Sequence, residues 1–358
     1  MKNTNLFLLP AMIISGVSIT NANASHVYAN TITAHNIAAI QHAITHTAFN
    51  SFEGAMPASL NEQNAAAQKN KTTTQDTASL YGRASIYGEY DDSALTGRNG
   101  GDAKTALNSI WFSWEHIGDN VKFDNFSSLD SDFDLVMMGL SGGVAKMGNG
   151  ITQWGIYTGY VGGTQQNDFL DIDEQGGYFG LYNGFNAGRF NLSTSINGGV
   201  LDNSAENEFD TDEFTNFWVG AIANATYDIS LDDTFTIQPG IQVGYTWIKS
   251  ENYTSASGDV LKNDAFGMLE VSPTLRAIKH IGNGWHGALN VKHIMIYTHG
   301  GELTVNGTPA PELEMDDFTE YTLSLEKSVA NVIFTANFGR RDGAHNGWVG
   351  GTNIKFRF

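Results

Sequence analysis

The sequence contains no cysteine. That excludes thiol chemistry and the disulfide staples on which small secreted domains depend. It is also poor in bases: 19 Lys and Arg stand against 38 Asp and Glu, for a net charge of -19. Such a chain is no electrostatic partner for nucleic acid. Charged residues make up only 16% of the whole. Beyond the first two dozen residues no stretch is continuously apolar for 18 residues, so no transmembrane helix is expected. What the chain does have is 40 glycines and 11% aromatic residues, and its length suits one large domain or two modest ones.

The N-terminus reads "MKNTNLFLLPAMIISGVSITNANA". Lys2, an apolar core from Leu6 to Ile19, and Ala22-Asn23-Ala24 follow the order of a secretory signal peptide. The expectation is a signal over 1–24 cleaved after Ala24, with export by the Sec pathway.

From about residue 105 the chain repeats one pattern, an alternating stretch of about ten residues followed by a turn. In "FNLSTSING", Phe190, Leu192 and Ile196 alternate with Asn191, Ser193 and Ser195. "WHGALNVKH", "EYTLSLEKS" and "VIFTANFGR" behave alike, and the last stretch, "NIKFRF", sets Ile354, Phe356 and Phe358 against Asn353, Lys355 and Arg357. A soluble sandwich buries the apolar set, whereas a membrane barrel turns it to lipid. Strand length, aromatics near strand ends (Trp247, Tyr253, Trp285, Tyr297, Trp348) and turns that alternate short and long favour the barrel. The long connections are expected at 164–177, 202–213, 249–264 and 299–317, mostly acidic.

Eleven strands are read from 131–142 to 346–358. A twelfth is needed for an even number, and "LYGRASIYGEY" (80–90) and "NSIWFSWEHI" (108–117) compete for it. Pro239 and Pro273 fall inside predicted strands, where a closed barrel has no free edge, so bulges or irregular pairing are expected there.

The segments "IQPGIQVGYTWIKSENYT", "LEVSPTLRAI", "GNGWHGALNVKH" and "GWVGGTNIKFRF" resemble the translocator, or β-domain, of the autotransporters of type V secretion, over roughly residues 80–358. The resemblance implies an all-β, antiparallel up-and-down barrel of about twelve strands in the outer membrane of a diderm bacterium, its long loops extracellular. It implies a helix threaded through the pore and a passenger carried to the cell surface. It also implies that Phe358, Phe356 and Ile354 are read by the barrel assembly machinery, with periplasmic chaperones upstream and outer-membrane lipid and lipopolysaccharide around the barrel. The chain departs from the family in its passenger, since only a remnant at 25–32 is expected ahead of a linker helix at 33–57 and a flexible linker at 58–79.

The expected helix starts at Thr33 as its cap. Ile37, Ile40 and Ile44 line one face, and His35, His42 and His46 the other. It suits a hydrated lumen; a surface amphipathic helix is the alternative. His42 and His46 have helical metal-ligand spacing, but a solvated polar face is the plainer reading. Asn50-Ser51 is a candidate for self-cleavage in the linker, against an ordinary polar helix end. The acidic connections read as solvated loops. No catalytic set, metal site or cofactor is expected. Glu270, Arg276, Lys292, Glu320, Glu326, Arg341, Lys355 and Arg357 are expected to face the lumen, because Arg or Lys turned to lipid at the midplane costs about 2–4 kcal/mol. Two functions remain: a translocator that carries its N-terminal segment outward and keeps the helix as a plug, and a passive channel with a periplasmic N-terminus.

Overall fold

The computed structural model describes residues 13–14, 17–18, 21–53, 109–123, 126–147, 150–207, 211–310 and 314–358. Ile13–Ile14 and Val17–Ser18 form a two-residue ladder. One helix, α1, runs over Asn21–Glu53. Twelve long strands follow: β1 Ser109–Phe123, β2 Phe126–Met147, β3 Gly150–Asn167, β4 Leu170–Ala187, β5 Phe190–Glu206 and β6 Thr211–Tyr227. The second half holds β7 Phe235–Ser250, β8 Phe266–Gly282, β9 Trp285–Gly300, β10 Phe318–Val329, β11 Val332–Gly343 and β12 His345–Arg357. Each pairs antiparallel with the next, and β12 closes on β1 from His345↔Val121 to Arg357↔Ser109. Closure leaves no unpaired sheet edge, as a strand crossing lipid requires.

Ser109–Phe123 is therefore the first barrel strand, and the competing segment 80–90 lies outside the described residues. The chain enters the barrel at Ser109, beside the end of β12, so that end of the barrel carries the turns after β2, β4, β6, β8 and β10. The opposite end carries the connections 251–265 and 301–317. These build a separate four-stranded sheet from Tyr253–Thr254, Val260–Asn263, Leu303–Val305 and Thr308–Pro309.

The other two expected long loops are not loops. β3 and β4 continue to a two-residue turn at Asp168-Phe169, β5 continues to Glu206, and β6 starts at Thr211. The polarity of the strands explains why. In the lower part of β2 the outward residues are Val136, Met138 and Leu140; above them they become Asp130, Asp132 and Asp134, while Leu129 and Phe133 point inward. β4 inverts in the same way, from Phe179 and Leu181 outward to Asp171 and Asp173 outward over buried Leu170 and Ile172. An apolar outer face suits lipid and an acidic one suits water, so the inversion marks where the strands leave the bilayer. Trp247, Trp285, Tyr297 and Trp348 face outward; Tyr253 does not join them, lying partly buried in the extra sheet and stacked on Phe214 at 5.3 Å.

The prolines interrupt pairing without shifting register. Ser272 and Pro273 are skipped between Val271↔Met295 and Thr274↔Lys292, and Pro239 lies just past Gly240↔Thr226, where the β7–β6 ladder stops. The register shifts fall elsewhere, at Val121/Phe123, Gly142/Ala145 and His280/Gly282.

Candidate functional site in the barrel lumen

α1 is enclosed by the strands. Ile37, Ile40 and Ile44 are fully buried, and so are His35 and His42 on the opposite side of the helix and Ile32 between the two faces. Burial all round places the helix in the lumen rather than on a surface. It also begins earlier than its sequence suggested. Thr33 is no cap: it lies more than three turns inside the helix, and its hydroxyl accepts a hydrogen bond from Asn216 Nδ2 at 2.6 Å. Residues 25–32 are helical too, with Ala29 and Ile32 packed among Val121, Phe123, Phe214, Met315 and Ala344 at the end that carries the extra sheet. The backbone of His46, Asn50 and Ser51 is helical, but their side chains lie outside the described residues.

Among the described residues, four helix side chains are seen hydrogen-bonded to the wall. Besides Thr33, Asn36 Nδ2 donates to Glu174 at 3.0 Å, and the Thr47 hydroxyl donates to Glu115. His42 is the most tightly defined. Its Nδ1 lies 3.0 Å from Glu270 Oε1, and its Nε2 lies 3.0 Å from Lys292 Nζ. A lysine ammonium has donors only, so Nε2 must accept and Nδ1 must carry the proton that Glu270 receives. The ring thereby bridges an acid on β8 and a base on β9. Glu270 also accepts from Ser272 at 2.8 Å and Gln242 at 3.0 Å.

The remaining expected lumen residues are placed as follows. Arg341 is fully buried and donates to Asp119 at 2.7 Å and to Glu320 at 2.9 Å. Asp119 also accepts from His345 Nδ1 at 3.0 Å. Lys355 is buried on the inward face of β12. Glu326 and Arg357 are half-buried on the same side of their strands. Arg276 lines a polar cavity below Phe49, together with Asn224, Gln238, Gln242, Asn290 and Lys292. Ile354 is half-buried while Phe356 and Phe358 are exposed, facing outward.

Four inward acids escaped the sequence reading: Glu115, Asp119, Glu174 and Asp212. Glu174 was assigned to a solvated loop, yet it is 2% exposed and bonded to Asn36. The signal was present in "LDIDEQ", whose alternation continues that of the strand, with Glu174 on the parity of Leu170 and Ile172.

Opposite the charged arc, the wall of β2–β6 is aromatic and glycine-rich. Trp111 from β1 covers Gly139, Tyr178 covers Gly159, Tyr182 covers Gly155, Tyr157 covers Gly180, and Trp218 covers Gly199. A Cβ at any of these glycines would collide with the ring. Two of the tyrosine hydroxyls are bonded within the wall, Tyr157 to Ser195 at 2.8 Å and to Asn197 at 3.1 Å, and Tyr182 to Trp111 Nε1 at 3.1 Å, whereas the buried Tyr178 hydroxyl finds no hydrogen-bond partner among the described residues.

The comparisons with known proteins point to the same kind of barrel. The family model of the autotransporter β-domain matches residues 115–293, half of the chain. The chain belongs to the autotransporter β-domain family. Three solved autotransporter barrels share its fold. The β-domain of Bordetella BrkA is 14% identical, with a TM-score of 0.58 over 70% of this chain and 100% of that one. The NalP translocator domain of Neisseria meningitidis is 12% identical, with a TM-score of 0.59 over 71% and 90%. The transport unit of AIDA-I from Escherichia coli is 11% identical, with a TM-score of 0.57 over 75% and 95%. A comparison with curated protein sequences gave no match. This autotransporter barrel is thus an outer-membrane translocator barrel of a Gram-negative bacterium.

Proposed function

We propose that this barrel carries its own N-terminal segment to the cell surface and keeps α1 behind it as the plug of the pore. The observation that carries this is the direction of the helix. Ala29 and Ile32 pack at the end with the extra sheet, and Phe49 lies toward the end where the chain enters β1. A chain that had passed outward through the lumen would come to rest with this polarity. The anchors at Thr33, Asn36, His42 and Thr47 give the plug its hold.

The rest of the expected organisation belongs to the same proposal. Residues 1–24 direct Sec export; cleavage after Ala24 removes the first turn of the helix. The surface segment is then what lies ahead of Ala29, a few residues of helix rather than a separate 25–32 passenger. Residues 58–79 and the chain up to β1 form the linker, with Asn50-Ser51, in the last turn of the helix ahead of it, the candidate cleavage point. The outward row Ile354, Phe356 and Phe358 engages the barrel assembly machinery after delivery by periplasmic chaperones, and lipopolysaccharide surrounds the acidic outer face.

An epitope tag inserted after Ser25 tests the reading. On intact cells whose periplasmic marker stays protected, antibody and external protease should reach the tag. A tag reached only after the outer membrane is opened moves the protein to the second reading, a passive channel. The polar cavity beside Phe49 is what favours that alternative.

A further inference from the structure

Two histidines meet across neighbouring strands, and they are not the pair with helical spacing. His42 is committed to Glu270 and Lys292. Instead, β8 and β9 set His280 directly opposite His286 on the inward face, at the end of the barrel where the chain enters β1. Their Nδ1 atoms are 3.0 Å apart, with ring centroids at 4.9 Å and planes at 87°. The next residue in the same cross-strand row is Glu326 on β10, opposite His286.

The hairpin holds this pair in place. Gly282, Asn283 and Gly284 have φ of 96°, 51° and 73°, three successive left-handed residues that make a tight reversal. The register shift between His280 and Gly282 sits immediately beside the pair. The spacing of the two imidazoles is thus set by backbone, before any ion is present.

We propose that His280 and His286 form a two-imidazole binding site for copper(II) or nickel(II) at the periplasmic mouth of the lumen. Imidazole nitrogens bind such ions at about 2.0–2.1 Å, and two of them at right angles around one ion lie about 2.9 Å apart. The 3.0 Å separation fits that arrangement. A tetrahedral ion would spread them to about 3.4 Å by the same bond lengths. Square-planar and octahedral ions take ligands at right angles, and among them nickel(II) and copper(II) hold nitrogen donors most tightly in the first-row affinity order. Without metal, one ring donates its Nδ1 proton to the other; with metal, both rings take the Nε2–H tautomer, so both lone pairs face the ion and no net proton is released. Among the described residues no three His, Cys, Asp or Glu are grouped to hold a metal, so water fills the remaining positions. An ion here bridges β8 to β9 in the mouth of the pore.

The test uses the full chain without a histidine tag, in detergent, with His26→Gln to remove the histidine nearest the N-terminus. Copper(II) is added, and binding is followed by calorimetry and by electron paramagnetic resonance. One ion per chain is expected, with two equatorial imidazole nitrogens resolved in the spectrum. His280→Gln and His286→Gln should each weaken binding at least tenfold. His293→Gln, an exposed residue on the outward face of β9, should leave it unchanged. The proposal is overturned if the unaltered pair shows a one-nitrogen spectrum, a reading that needs no variant to fold. It is equally overturned if the two variants bind as tightly as the parent, or if His42→Gln abolishes binding instead.

Discussion

The two halves of the lumen wall solve the same problem with different chemistry. Across β2–β6 rings set over glycines stand among neutral polar and aliphatic side chains, with Glu174 and Asp212 the buried charges among them. Across β8–β12 and β1 they are Glu270, Arg276, Lys292, Glu320, Glu326, Arg341, Lys355, Arg357, Glu115 and Asp119. The helix packs chiefly on β4–β7, and it reaches the charged arc through His42 and Thr47. Ring-on-glycine contact is non-directional and tolerant of small adjustments. Buried charges are not, because each loses its hydration and regains it only through a particular partner. The aromatic half therefore gives the helix a surface, and the charged half gives it a position.

The largest effect expected from this division is at Arg341. Arg341→Met leaves Asp119 and Glu320 buried beside each other without their cation, and removing one partner of a buried pair costs about 3–5 kcal/mol. Denaturant unfolding in lipid vesicles measures it. On the quiet side, Gly155→Val drives a branched side chain into the Tyr182 ring, an overpacking worth about 1–3 kcal/mol. If Gly155→Val proves the more damaging, the contrast between the halves fails. His42→Ala should cost about 1–3 kcal/mol, the penalty of leaving buried partners incompletely bonded. It should also raise single-channel conductance in planar bilayers, because it releases the helix from both β8 and β9. Unchanged conductance would mean that the aromatic half alone holds the plug.

The smallest effect lies outside the lumen, in the turn between β6 and β7. Two hydrogen bonds from Thr234, at 2.6 and 2.8 Å, hold the Asp232 carboxyl below the usual carboxylate range. A depressed folded-state value means stabilisation that is present above the unfolded value near 3.9 and is lost as pH falls through the folded one. The small stability difference between the parent and Asp232→Asn should disappear in strong acid and return above about pH 5.

Much of the barrel was legible because one period governs it. Lipid outside and polar groups inside produce an alternation that "EYTLSLEKS" or "NIKFRF" shows in full, and the same parity put eight charged residues on the inward side. The acidic ends of β3–β6 were read as loops because that reading expected strands to stop with the bilayer. In the structure they continue into water with polarity reversed. The start of the helix was hidden because Thr33 has the chemistry of a cap, while Asn21, also a cap-type residue, fell inside the stretch read as the signal peptide. The ring-on-glycine pairs and the His280–His286 couple were not legible at all. They join residues on neighbouring strands, and a register that brings Tyr182 over Gly155 is fixed by the whole ladder rather than by either segment.

The anchors of α1 also have a mechanical consequence. They occupy positions 33, 36, 42 and 47, spread over about 21 Å of a helix about 50 Å long. All four point sideways, to β6, β4, β8 with β9, and β1. A pull along the helix axis from either mouth loads them together, in shear, and none can peel away ahead of the others. Individually modest bonds then resist as one, so the plug should yield to tension abruptly, at a single threshold, rather than by creeping out turn by turn.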